Sequence, residues 1–554
     1  MSRRYLGRAI RFYSKKRSLD ITDEADFAHR KQIISSLAIT DQISKFYPNI
    51  QDIKFQALAP TGILNINKFR LKYEPFFQAT ENEAIKTLND DKIVVFGKIN
   101  SIRKSGKGML FVDITESEHK LQLVLHHKLM GLSKDEFASI HSDFKPGDFI
   151  SSIGHPGRTN VGELSLKLVN PLQMASPSLH PLPPKLTDQS KINNNRVVDY
   201  LVNKRSRDVI KLRSKIIRTI RNYFESQDFI EVSTPIIGQG NTGANATPFI
   251  TQSMHLKDKK TDKPVELNLR VAPELWLKRL IISGFDKIFE IGKNFRNEGI
   301  DSTHNPEFTS CEFYKTFTSL EELMNITEEL FIKIINEILA DPIFKDVSHD
   351  ICQEILNDLK ENNYKFARID FIKQIEIETK LALPEILNSE NLIEYYNQLG
   401  IKLPSSNLSE FQLLDNLSSI YLEPLCKNVP TFIFNQPEIM SPLAKSKVDT
   451  QRNYNISNRF EMFINGKEYV NAYEEENNPF AQKLKFEQQL KLKDEFNDQE
   501  CIVPDYKYVE AMEWGMPPTG GWGLGIDRLV MLLSGSERIE NVLSFGKLSD
   551  VLRQ

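Results

Sequence analysis

The sequence predicts a multidomain protein in which a small all-β unit, a five-stranded barrel, precedes a larger α+β unit. Three observations point there. From Ile93 onward, five short runs rich in apolar and β-branched residues crowd into about 80 residues. A proline-rich stretch, His180-Pro181-Leu182-Pro183-Pro184, interrupts the chain just after them. Beyond it, one strongly amphipathic helical pattern opens a long region in which strands and helices alternate to Gln554.

Composition fits this division. At 554 residues the chain is too long for one hydrophobic core. Its 40% hydrophobic and 26% charged residues are those of an ordinary globular protein. A net charge of −3 means that a nucleic-acid partner must be met by a local basic surface. The four cysteines, Cys311, Cys352, Cys426 and Cys501, are widely spaced. That argues against a zinc site or disulfide framework and for a reducing compartment. No apolar run reaches the roughly 18 residues needed to span a bilayer, so a soluble protein without a membrane partner is expected.

Residues 1–19 stand apart. Arg3, Arg4, Arg8, Arg11, Lys15, Lys16 and Arg17 meet no acid before Asp20, and Ser2, Ser14 and Ser18 are interspersed with apolar residues. This is the composition of a mitochondrial presequence, which places the protein in the matrix; the alternative is a basic arm that touches RNA. Residues 20–90 read as a mainly helical N-terminal extension. Residues 91–178 hold the barrel, with strands at 93–99, 109–114, 120–125, 148–153 and 164–169. Turn-forming stretches, such as Lys145-Pro146-Gly147, separate several of them. A five-stranded barrel of this size that binds oligonucleotides is most commonly an OB-fold.

Residues 179–200 form the proline-rich linker and 201–554 the larger domain. Its first helix, about 204–227, spaces Leu212, Ile216, Ile217, Ile220, Tyr223 and Phe224 along one face. A short strand at 229–232 then meets Thr234-Pro235. A less patterned, mostly helical insertion is expected at about 316–450.

Chemistry concentrates in three segments. Residues 290–315 read EIGKNFRNEGIDSTHNPEFTSCEFYK. Arg296 is expected on a strand with Glu298 on the same face, where a guanidinium fork can grip a phosphate. His304, Asn305 and Glu307 fall in a turn around Pro306, and Phe308 can stack on a base. A surface strand with ion pairs is the plainer reading, but so many distinct polar groups in so short a span favour a site. In the second segment, GGWGLGIDRL at 520–529, glycines permit close backbone approach and Arg528 opens a helix whose N-terminus favours anions. In the third, FEMFINGKEYVNAYEEEN at 460–477, Asn465-Gly466 marks a hairpin that places Glu461 and Glu468 on facing strands. Facing carboxylates suit a hard cation such as Mg²⁺.

Together these segments resemble the catalytic domain of class II aminoacyl-tRNA synthetases. The helix, strand and Pro235 are similar to the family's first motif, which implies a homodimer interface. FRNE at 295–298 with HNPEF at 304–308 resembles the second motif, and GLGIDR at 523–528 the third. APE at 272–274, MSPLAK at 440–445 and NGKEYVNAYEE resemble the lysine subgroup, in its mitochondrial, fungal-type form. The likeness extends through the barrel.

The resemblance implies an antiparallel sheet flanked by helices. It also implies ATP-dependent activation of lysine to lysyl-adenylate, with transfer to the 3′ end of tRNA(Lys) in mitochondrial translation. Arg296 and Arg528 would be catalytic, holding the α- and γ-phosphates of ATP. Phe308 would stack on adenine against Arg528, with Glu298, His304, Asn305 and Glu461 also at the nucleotide. Glu461 and Glu468 would hold Mg²⁺. Gly243, Glu274, Glu312, Tyr314, Asn471, Tyr473 and Glu475 would line the lysine pocket. In the barrel, Phe111, Gln122 and Glu163 would read the anticodon, although a core Phe and surface Gln and Glu would look the same in sequence. Two positions depart from the pattern: Thr247 stands where an arginine is usual, and Ala472-Tyr473 replaces Gly-Phe. A synthetase for another amino acid of the Asp/Asn subgroup and a non-catalytic tRNA-binding paralogue remain as alternatives.

Overall fold

The computed structural model describes residues 19–53, 62–79, 84–239, 243, 246–405, 407–450, 452, 454–496 and 504–552. The expected presequence, save Leu19, and Cys501 lie outside the described residues. The chain divides into two compact units, before and after the Lys185–Leu186 junction.

In the first unit, helices α1 (Leu19–Ser36) and α2 (Ile66–Gln78) precede the strands. Helix α2 starts where the Asn65 side chain accepts a hydrogen bond from the Lys68 amide. It buries Ile66, Phe69, Tyr73 and Phe77, spaced three and four apart, in the barrel core. Arg30 of α1 grips Asp148 through two bonds of 2.8 Å.

The strands are β1 (Ile93–Lys104), β2 (Met109–Glu116), β3 (His119–His126), β4 (Phe149–Arg158) and β5 (Leu164–Leu168), with helix α3 (Lys134–His141) between β3 and β4. The order β1-β2-β3-β5-β4 closes through a β4–β1 pairing, and β6 (Gln173–Ser176) pairs with β4. Closure removes the edges that an open sheet of this size would expose. Alternation sends Leu110, Val112 and Ile114 of β2, and Leu121, Leu123 and Leu125 of β3, into the core.

The second unit is built on an eight-stranded sheet. Its strands in chain order are β7 (Ile230–Glu231), β8 (Lys287–Phe295), β9 (Glu307–Thr316), β10 (Ala367–Asp370), β11 (Thr431–Phe434), β12 (Arg459–Ile464), β13 (Lys467–Glu474) and β14 (Thr519–Gly525). Their spatial order is β10-β11-β12-β13-β14-β9-β8-β7. The six central strands are antiparallel, while β10 and β7 at the two edges pair parallel to their neighbours. Helix α4 (Lys204–Glu225) buries Leu212, Ile216, Ile220 and Phe224 in the core beneath this sheet.

The stretch 316–450 contains many helices, but it is not a separate helical body. Helix α6 (Leu320–Leu339) packs into the main core, and β10 and β11 extend the main sheet. The helices between β10 and β11 share a core of their own around Leu392, Tyr396 and Leu413. Four-residue strands flanked by helices leave too short a run for period-2 patterning to register in sequence. Three further helices border the site: α5 (Glu274–Ile282), α7 (Tyr506–Met512) and α8 (Ile526–Ser534).

Candidate active site and barrel face

One face of the sheet is apolar and the other chemical, because neighbouring side chains alternate. Phe313 of β9, Val470 and Ala472 of β13, and Trp522 and Leu524 of β14 enter the main core. Their neighbours Ser310, Glu312, Tyr314, Asn471, Tyr473, Gly521 and Gly523 line a cavity of about 500 Å³ on the other side. Gly521 forms its floor: a Cβ there would stand 1.9 Å from an oxygen of Glu475 and 2.7 Å from the Tyr314 ring. The glycine run is thus a surface the neighbouring side chains lie against.

The structure brings every expected nucleotide and amino-acid residue to this cavity: Gly243, Glu274, Arg296, Glu298, His304, Asn305, Phe308, Glu312, Tyr314, Glu461, Glu468, Asn471, Tyr473, Glu475 and Arg528. A neighbouring cavity of about 760 Å³ shares His304, Glu461, Glu468 and Arg528. Arg296 does not lie on a strand as expected; β8 ends at Phe295, where the chain begins to swing out into the loop that leads to Pro306. Its amide still reaches the Pro306 carbonyl at 2.8 Å. The guanidinium lies 5.1 Å from the centre of the Phe308 ring, and its buried Nε has no acceptor among the described residues. Arg528, in the first turn of α8, donates to His304 Nε2 at 2.8 Å and to the Glu468 carbonyl at 3.0 Å. The Asn305 amide is engaged with backbone, donating to Glu307 and accepting from Leu548. Asp527 ties the segments together by pairing with Arg213 of α4 and accepting from the Thr309 amide at 2.7 Å.

The hairpin at Asn465-Gly466 is present, with both residues at positive φ, 51° and 66°. The register is not simple, however. Glu461 stands opposite Asn471, so plain alternation would turn Glu468 to the far side; the pairing slips beyond Met462, leaving Glu468 opposite Phe463. That bulge returns Glu468 to the cavity with Glu461. Burial raises the pKa of Glu461 to about 7; Arg459 opposes this, and Glu468 and Asp415 add to it. A divalent cation suits such a donor set. Sequence reading missed Arg459, which pairs with Glu461 and donates to Asn471 at 2.9 Å. Its place two residues before Glu461 on an alternating strand was the available signal.

The deep end of the cavity is acidic. Tyr473 donates to Glu274 at 2.5 Å, and the same carboxylate receives Lys278 at 2.6 Å. Lys278 also ion-pairs with Glu475, yet neither Glu475 oxygen takes a well-directed hydrogen bond among the described residues. Burial pushes the Glu475 carboxyl well up, against the pull of Lys278. Burial, with Glu274 adding, raises Glu312 to about 8. Gly243, at φ +99°, packs its backbone on this wall, where a Cβ would press Leu275 and Glu274. At the two departures, Thr247 offers its carbonyl to the Asn297 amide at 2.7 Å, and Ala472 is buried in the sheet core.

In the barrel, Phe111 pairs across from Val124, and Gln122 from Asp113. Both therefore point away from the core that Leu110, Val112, Leu121 and Leu123 fill. Gln122 donates to Glu163 at 2.9 Å, while its buried Oε1 has no partner among the described residues. The three residues share the outer face formed by β2, β3 and the start of β5.

This sheet and its cavity define a class. The chain belongs to the class II tRNA synthetases of the D, K and N group, whose family model, "tRNA synthetases class II (D, K and N)", matches residues 188–549. Residues 93–169 match the model described as "OB-fold nucleic acid binding domain". Within that class the chain is similar to lysine–tRNA ligases. It is 42% identical to "Lysine--tRNA ligase, mitochondrial" of Saccharomyces cerevisiae, over 83% of this chain and 82% of the relative. It is 38% identical to the protein of the same name in Schizosaccharomyces pombe, over 95% and 93%. The "Lysine--tRNA ligase" of Mesomycoplasma hyopneumoniae is 38% identical over 88% and 92%.

Proposed function

We propose that this ligase charges tRNA(Lys) with lysine for translation in the mitochondrial matrix. The observation that carries the reading is the juxtaposition in one cavity of three carboxylates, Glu274, Glu312 and Glu475, with the unpartnered Nε–H of Arg296. The first group suits an ammonium-bearing amino acid and the second a phosphate. Lysine's carboxylate oxygen attacks the α-phosphorus of ATP and the bond to pyrophosphate breaks. The tRNA 3′-terminal hydroxyl then attacks the activated carbonyl and AMP leaves. Neither step needs a protein nucleophile, so catalysis is positioning and charge neutralisation.

Arg296 holds the α-phosphate and Arg528 the γ-phosphate; Phe308 stacks on adenine, with Glu298, His304 and Asn305 beside the nucleotide. Glu461 and Glu468 would hold Mg²⁺, which when bound offsets phosphate charge. Asn471, Tyr314 and Tyr473 orient lysine between the carboxylates, with the Gly243 backbone on the same wall. Phe111, Gln122 and Glu163 read the anticodon by stacking and base-edge bonding.

Exposed Ile230, Ile237, Ile250 and Met254, near the first motif, support a homodimer. The acid-free basic N-terminus and the mitochondrial names of two relatives support the location. ATP–pyrophosphate exchange with a panel of amino acids tests the activity. Lysine alone should drive it; exchange driven by aspartate or asparagine, or by none, overturns the reading.

A further inference from the structure

The lysine side chain of the protein itself sits behind the acidic end of the cavity. Lys278 occupies the second turn of α5, is fully buried and does not line the cavity. Its ammonium lies 2.6 Å from Glu274, pairs with Glu475, and stands 5.4 Å from the Tyr473 ring centre. The titratable groups around it from the packed elements are Glu274 on its own helix, Glu475 and Tyr473 from β13 and its end, Glu312 and Tyr314 of β9, and Tyr508 of α7. Of the two arginines that act on Glu312, Arg270 is already engaged by Glu290 at 2.6 Å and Arg296 lines the cavity itself.

Three carboxylates lining one end of a cavity repel one another unless a counter-charge lies beside them. One internal ammonium, that of Lys278, lies beside two of them, Glu274 and Glu475. We propose that Lys278 is a specificity-determining positioning residue. From behind the wall its ammonium pairs with both Glu274 and Glu475 and offsets the repulsion between them, so that this end of the cavity can meet a substrate ammonium. Burial disfavours the charge on Lys278, but Glu274 and Glu475 outweigh it and keep its pKa above the usual lysine value. It therefore remains a cation throughout the neutral range. This inference rests on the lysine reading above.

The test is the pH profile of the lysine KM in ATP–pyrophosphate exchange, on the full chain. Lys278→Met should raise that KM about tenfold for each pH unit by which carboxylate protonation moves, and leave the ATP KM within about twofold. In the wild-type protein the lysine KM should level off near pH 8, where Glu312 has ionised. In Lys278→Met it should keep falling into the alkaline range. Lys278→Arg should restore the wild-type profile in large part, which a packing defect would not predict. Should the methionine variant fail to fold, Lys278→Gln provides the same contrast with Lys278→Arg. A folded neutral variant whose lysine profile matches wild type, or whose ATP and lysine KM values rise together, overturns the inference. Failure of the wild-type protein to exchange with lysine would instead overturn the function itself.

Discussion

Replacing Phe111 by alanine separates the barrel's role in folding from its role in recognition. Truncating a core phenylalanine costs about 3–5 kcal/mol. Phe111, however, lies opposite Val124 on the face turned away from the core, which Leu110 and Val112 fill. The folding cost should thus stay near 1 kcal/mol, a melting-temperature loss of no more than about 4 °C for a unit of this size. Stacking on a base is worth about 1–3 kcal/mol, so kcat/KM for tRNA should fall by about fivefold to somewhat over a hundredfold. Lysine-dependent ATP–pyrophosphate exchange should not change, because its groups all lie in the second unit. The assay is tRNA charging beside exchange and a thermal melt, repeated on tRNA with altered anticodon bases in a double-mutant cycle. A large loss of melting temperature, or full additivity between protein and base changes, would refute the reasoning.

Further outcomes are expected elsewhere. Arg296→Ala should reduce adenylate formation about a hundredfold or more with little change in the melt, since its Nε has no acceptor to lose among the described residues; a collapsed melt would mark it as structural. Lysine affinity should increase with pH up to about 8 and then flatten, since Glu312 must shed a proton to pair with an ammonium. Calorimetry in buffers of different ionisation enthalpy should then record proton release on lysine binding below that pH, and no release would contradict it. Deleting residues 2–19 should spare charging in vitro and leave the protein in the cytosol; continued import of the truncated chain, followed by fractionation, would sink the presequence.

Much of this protein is set by local rules. Alternation in β2 and β3 already divides Leu110 and Val112 from Phe111, and Leu121 and Leu123 from Gln122. Asn465-Gly466 determines a hairpin because both residues tolerate positive φ. The helical period of α4 and the glycines before Arg528 are equally local. Tertiary structure decided the rest. The slip beyond Met462 depends on how β13 fits between β12 and β14, and it alone brings Glu468 to the side of Glu461. Strands β10 and β11 become strands because the sheet edge accepts them. Lys278, four residues after Glu274, has the spacing of an ordinary helical ion pair. Only the packing of β13 and α7 over α5 buries it and brings Glu475 to it. The physical reason is common to all three: burial and long-range pairing are properties of which surfaces meet, and a local pattern carries no record of its distant partner.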